Sequence, residues 1–176
     1  MDILKLIDKM RDVQRLAGRP IHKPYSLMEH CYYVGMLFKH FASKCDVPYS
    51  MEVFDLVLKH DLVEVVTGDL VYPVKNFSKE TQDAWDLIER ALAESYGLEK
   101  YANDALKNAM TKGQYELFKL CDILDLYIFV LREKSLGNNT EEIEIVIGNC
   151  HKIINGILEK GGKNLKPFED YYKSLK

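Results

Sequence analysis

The chain has 176 residues, a length that favours one folded unit over two. Its 47% hydrophobic and 29% charged content is that of an ordinary globular protein and excludes a disordered or fibrous chain. A net charge of −3 without a long basic block excludes the electrostatic footprint needed to grip long nucleic acid, so any phosphate-bearing ligand is expected to be small.

In chain order, Ile3, Leu4, Ile7, Met10, Val13 and Leu16 recur at three- and four-residue spacing before Gly18 and Pro20, which predicts a first helix over residues 3–17. Residues 18–26 read as an ordered loop carrying Arg19, His22 and Lys23. Ser26-Leu-Met-Glu29 has the form of a capping box, so a second helix starts there with His30 in its first turn. Val34, Leu37 and Phe41 follow His30 at helical spacing and turn the imidazole inward. Val53, Phe54, Val57 and Leu58 predict a third helix running through His60-Asp61 to Glu64, broken by Thr67-Gly68-Asp69. Ser78 caps a fourth helix ending near Gly97, and a weaker helical segment covers about residues 99–111. Strong helices follow over 113–135 and 140–160, ended by Gly137-Asn138-Asn139 and Gly161-Gly162, with a last short helix around Phe168, Tyr171 and Leu175. No region alternates as strands do.

No apolar run approaches the roughly 20 residues of a membrane span, and the opening Met1-Asp2-Ile3-Leu4-Lys5 lacks the pattern of a signal peptide. A cytoplasmic protein without membrane contact is expected. Cys31, Cys45, Cys121 and Cys150 have no metal-knuckle spacing and are expected as reduced, mostly buried thiols.

His60-Asp61 places an imidazole beside a carboxylate, two mixed ligands for one divalent cation if the backbone presents both inward. Alone, such a dipeptide is ordinarily a core histidine next to a surface aspartate. Glu64, four residues beyond His60, returns on a helix to the same face, where an acid or base would sit. Asp69 follows just past the helix end.

With these residues in view, the chain resembles the HD-domain phosphohydrolases, and specifically the bacterial 5'-deoxynucleotidase branch. The pattern of a histidine, an HD doublet and a distal aspartate matches Glu29-His30, His60-Asp61, and Asp122 within Lys119-Leu-Cys-Asp-Ile-Leu-Asp-Leu-Tyr127. The stretch His60-Asp-Leu-Val-Glu-Val-Val-Thr-Gly-Asp-Leu-Val-Tyr-Pro-Val-Lys75 is similar to the branch signature HD-x-x-E-x-x-T-G-D-x-x-x-P-V-K. The similarity extends from about Arg19 to about Asn139. It departs at Gly18-Arg19-Pro20, where the family has Arg-Trp-Pro, and the only tryptophan here is Trp85, far along the chain.

The resemblance implies an all-α, single-domain HD bundle of about six to eight helices. It implies that His30, His60, Asp61 and Asp122 hold one divalent transition metal (Co, Mn, Zn, Ni or Fe), since two imidazoles and two carboxylates neutralise a dication. Glu64 is then the expected general acid and Asp69 the group that orients or deprotonates the attacking water. Arg19 and Lys75 are the expected substrate-binding cations. The implied reaction converts a 2'-deoxyribonucleoside 5'-monophosphate to deoxynucleoside and phosphate. The alternatives are removal of triphosphate from a deoxynucleotide such as dATP, and an inactive binding module that keeps the fold. A small-molecule deoxynucleotide is the expected partner, along with further copies of the chain in a homo-oligomer, a dimer or larger.

Overall fold

The computed structural model describes residues 2–69, 77–161 and 163–175. Helix α1 (Ile3–Lys9) begins where the Asp2 carboxylate accepts the Leu4 N–H at 3.0 Å. It stops well short of residue 17. The Leu27 N–H donates to the Val13 carbonyl and the Arg15 N–H to the Tyr25 carbonyl, both at 2.8 Å, so residues 13–15 extend against 25–27. A distant segment supplies the backbone partners a helix would have supplied, and Val13 and Leu16 still pack on the core, which is why their spacing read as helical.

Helix α2 (Leu27–Lys44) starts at the predicted capping box: Ser26 accepts from the Glu29 N–H, and Glu29 accepts from the Ser26 N–H at 3.0 Å. Helix α3 (Met51–Leu58) follows a Ser50 cap and lies close against α2. A Cβ on Gly35 would stand 2.4 Å from the Leu58 side chain, so the missing side chain permits that approach. The predicted continuation of α3 to Glu64 does not occur. Residues 59–63 form a turn, with the Leu62 N–H on the Lys59 carbonyl at 2.9 Å, and a one-turn helix α4 (Glu64–Thr67) follows. Gly68, at φ 75°, ends α4 in a conformation that suits glycine and redirects the chain at Asp69.

Helix α5 (Lys79–Tyr96) is capped by Ser78 as expected, and a 3-10 turn (Glu99–Tyr101) leads to α6 (Asn103–Ala109). Helix α7 (Lys112–Ser135) opens on a second capping box, Thr111 with Gln114. Helix α8 (Glu141–Lys160), a 3-10 turn (Lys163–Leu165) and α9 (Lys166–Ser174) complete the described chain. Among the described residues there are nine α-helices and no strand. The one beyond the expected six to eight is α4, which the turn at His60-Asp61 separates from α3.

Helix α7 occupies the middle, against α2 on one side and α8 on the other, and α9 returns to α2 through Phe168 on Phe41, ring centroids 5.0 Å apart. Buried apolar side chains from Leu6 to Tyr172 form one cluster. Asp122, Asp125 and Glu133 are buried on α7 among them, which burial physics tolerates only where each acid has partners. No described helix is long and apolar enough to cross a membrane.

Candidate functional site

Three segments bring four donor side chains to one point. His30 comes from the first turn of α2, His60 and Asp61 from the turn after α3, and Asp122 from α7. His30 Nε2 lies 3.1 Å from His60 Nε2, 3.5 Å from Asp61 Oδ2 and 3.3 Å from Asp122 Oδ1. His60 Nε2 lies 3.4 Å from Asp61 Oδ2 and 3.9 Å from Asp122 Oδ1. His30 is completely buried, and Asp122 nearly so.

The far side of each ring sets what its Nε2 can do. His60 Nδ1 is 2.8 Å from the Val57 carbonyl, which only accepts, so Nδ1 carries the hydrogen. His30 Nδ1 is 2.8 Å from Asp125 Oδ2, again an acceptor. In the neutral rings both Nε2 atoms are therefore lone-pair acceptors, pointed at each other at 3.1 Å with two carboxylate oxygens beside them. With both rings neutral such an arrangement repels itself, and a proton on one Nε2 or a metal cation among the four atoms relieves it. Two nitrogens and two carboxylates are also a donor set suited to a divalent transition metal, with charge that cancels.

Above this point opens a cavity of about 340 Å³ whose walls include Arg15, Arg19, Glu64, Asp69 and Lys119. Arg15 Nη1 donates to Asp61 Oδ2 at 2.6 Å and lies 3.8 Å from Glu64 Oε2. Its Nε is buried and, among the described residues, has no hydrogen-bond partner. Asp69 Oδ2 accepts the Leu16 N–H at 2.9 Å; Leu16 has φ 55°, an unfavourable backbone for a leucine, so Asp69 pins the strained corner that aims Arg15 inward. Lys119, one turn before Asp122, donates to Asp122 Oδ2 at 2.5 Å.

Burial alone would raise the Asp61 carboxyl, but His60, Arg15 and His30 outweigh it and hold it at about 2. Asp122 is likewise held well below the carboxylate range, Lys119 and the two imidazoles overcoming burial. Burial pushes His60 down, toward the neutral ring that can act as a ligand. Burial also opposes charge on His30, yet hydrogen bonds to Asp122 and Asp125 raise it.

Of the site residues expected from sequence, His30, His60, Asp61 and Asp122 converge, and Glu64, Asp69 and Arg19 line the adjoining cavity. Lys75 lies outside the described residues. Trp85, remote in sequence, lines a small gap shared with His60, Asp61 and Glu64. Cys31 is core as expected, its Sγ 3.7 Å from His60 Nδ1. The sequence reading missed Arg15, Lys119, Tyr25 and Asp125. The signal for Lys119 and Asp125 was present: with Asp122 they stand three residues apart on a helix that is otherwise apolar at those positions. Nothing local marked Arg15 or Tyr25, whose places depend on the pairing of 13–15 with 25–27.

Over residues 2–153 the chain matches the family model described as 5'-deoxynucleotidase YfbR-like. The 5'-deoxynucleotidase YfbR of Salmonella typhi is 34% identical over 93 residues, covering 48% of this chain and 46% of that protein. The protein of the same name from Salmonella arizonae is 33% identical with the same coverage. The chain thus spans about half the length of these relatives. Among solved structures, the HD phosphohydrolase DatZ of cyanophage S-2L, bound to dA and one catalytic Zn2+ ion, matches with a TM-score of 0.74 at 17% identity, covering 99% of this chain and 97% of that one. An HD-domain phosphohydrolase from Listeria innocua matches with a TM-score of 0.73 at 14% identity, covering 98% and 96%. These likenesses place the helices in the all-α HD-domain fold.

Proposed function

Because the chain belongs to the 5'-deoxynucleotidase YfbR-like family, we propose that it is a metal-dependent phosphohydrolase that converts a 2'-deoxyribonucleoside 5'-monophosphate to deoxynucleoside and orthophosphate. The observation that carries this reading is the convergence of two acceptor nitrogens and two carboxylates, the carboxylates of Asp61 and Asp122 lining a cavity walled also by Arg15, Arg19 and Lys119. His30, His60, Asp61 and Asp122 would hold one divalent transition metal, which when bound supplies Lewis acidity toward a phosphoryl oxygen and makes water more acidic.

The remaining work falls to the chain's own groups. Arg15, whose Nε has no hydrogen-bond partner among the described residues, and Arg19 grip the phosphate, for which a planar guanidinium is suited. Lys119 adds a point charge from the α7 side. Asp69 orients the attacking water, whose oxygen bonds to phosphorus as the bond from phosphorus to O5' breaks. Glu64 gives its proton to the departing O5'. In the free protein Arg15 Nη1 stands 3.8 Å from Glu64 Oε2. The aliphatic wall of Ile123, Leu126, Val146 and Ile153, with Asn149 among them, takes the sugar and base where the family pattern has a tryptophan.

Product analysis by chromatography tests the reading: metal-stripped protein is incubated with dAMP and, separately, dATP, each with and without cobalt or manganese. The expected result is deoxyadenosine and orthophosphate from dAMP, only with metal. Deoxyadenosine with intact triphosphate from dATP would replace it by a triphosphohydrolase, and no turnover of either would return the chain to a binding module.

A further inference from the structure

Behind the four donors stands a buried pair that neither the motif nor the reaction requires. Asp125, one turn after Asp122 on α7, is 6% exposed, and its Oδ2 meets two groups at once: His30 Nδ1 at 2.8 Å and the Tyr25 hydroxyl at 2.6 Å. A carboxylate only accepts, so both bonds are donated to it, and the tyrosine proton is committed there. Tyr25 is itself fixed. Its ring stacks on Phe129, centroids 4.1 Å apart and 13° from parallel; its carbonyl holds the Arg15 N–H; and the Arg15 guanidinium lies 5.7 Å over its ring.

We infer that Asp125 and Tyr25 are positioning residues for the metal centre: Asp125 holds His30 in the tautomer and rotation that present Nε2 as a ligand, and Tyr25 holds Asp125. The inference rests on the reading of His30 as a metal ligand. A histidine whose outer nitrogen is fixed by a carboxylate binds metal with its ring already oriented, and loss of such a partner typically weakens metal affinity about 10- to 100-fold. The two members differ in what they contribute. Asp125 supplies charge and the acceptor, whereas Tyr25 supplies one hydrogen bond and leaves its stacking and its arginine contact intact when the hydroxyl alone is removed.

Cobalt(II) binding to metal-stripped protein, followed by calorimetry and by the visible absorption of the bound ion, tests this on wild type, D125N and Y25F, with thermal unfolding of each stripped protein measured alongside. The expected result is weaker cobalt binding in D125N, by about 10- to 100-fold, and a smaller loss in the same direction in Y25F, each with a shifted cobalt spectrum. Wild-type affinity and spectrum in both variants would overturn the inference. If D125N does not fold, Y25F decides alone: weakened binding upholds the pair and wild-type binding overturns it. Failure of the wild-type protein itself to bind cobalt would overturn the metal reading beneath it, and is thereby distinguished from failure of the inference.

Discussion

Glu64 and Glu133 are both withdrawn from solvent, and their neighbours divide them between chemistry and stability. Glu64 faces the cavity beside Arg15. If it donates the proton to O5' as proposed, its replacement in E64Q should lower kcat by about 10²- to 10⁴-fold with little change in KM, read from steady-state phosphate release. Glu133 never meets the cavity. It is 1% exposed and accepts the His22 N–H at 2.6 Å, the Lys23 N–H at 3.0 Å and the Asn138 amide at 2.9 Å, tying the loop before α2 to the end of α7. Burial would raise its carboxyl, but those donors outweigh burial and lower it. A depressed carboxyl stabilises the fold fully above the ordinary glutamate value of about 4.3; as pH falls past that value the unfolded chain takes the proton first and the stabilisation is lost. E133Q should therefore cost about 1–3 kcal/mol in urea unfolding at neutral pH. It should also flatten the fall in stability on acidification; an unchanged acid limb would contradict this. At this scale the four converging donors and Glu64 were legible because motif chemistry is carried by residue type and spacing. Glu133 was not, because two of its three partners, His22 and Lys23, lie 111 and 110 residues away.

Element ends were legible where the chemistry that makes them is local. Ser26 with Glu29, Ser78, and Thr111 with Gln114 each satisfy backbone donors within one turn, so the helices begin at or next to the predicted residues. The two errors, α1 carried to 17 and α3 to Glu64, arise where distant backbone or a functional turn competes with apolar spacing. Both errors fall beside the site: the extended 13–15 segment delivers Arg15, and the 59–63 turn delivers His60 and Asp61 together, which a straight helix would point in different directions. The close seat of α3 on α2 at Gly35 then matters for function as well as packing. In G35V the new side chain must displace Leu58, which should destabilise the protein by about 1–3 kcal/mol in denaturant unfolding. The shift would reach His60 through α3, so cobalt affinity should fall with stability; a destabilised variant with wild-type affinity would contradict that coupling.

Across the whole molecule, the four donors come from positions 30, 60, 61 and 122 and meet only when α2, the turn after α3, and α7 are packed. The unfolded chain has no such site, so metal binding is linked to folding. At cobalt about 100-fold above its dissociation constant the fold should gain about 2.7 kcal/mol. For a chain of this size that corresponds to a rise in Tm of about 5–10 °C, reversed by chelation. The measurement that bears most directly on the proposed reaction is orthophosphate release from dAMP by metal-stripped protein titrated with cobalt. Release should be absent in the stripped protein and climb to a plateau at one cobalt per chain. Release indifferent to stripping and chelation, or none at any cobalt concentration, would contradict a hydrolytic metal centre built on His30, His60, Asp61 and Asp122.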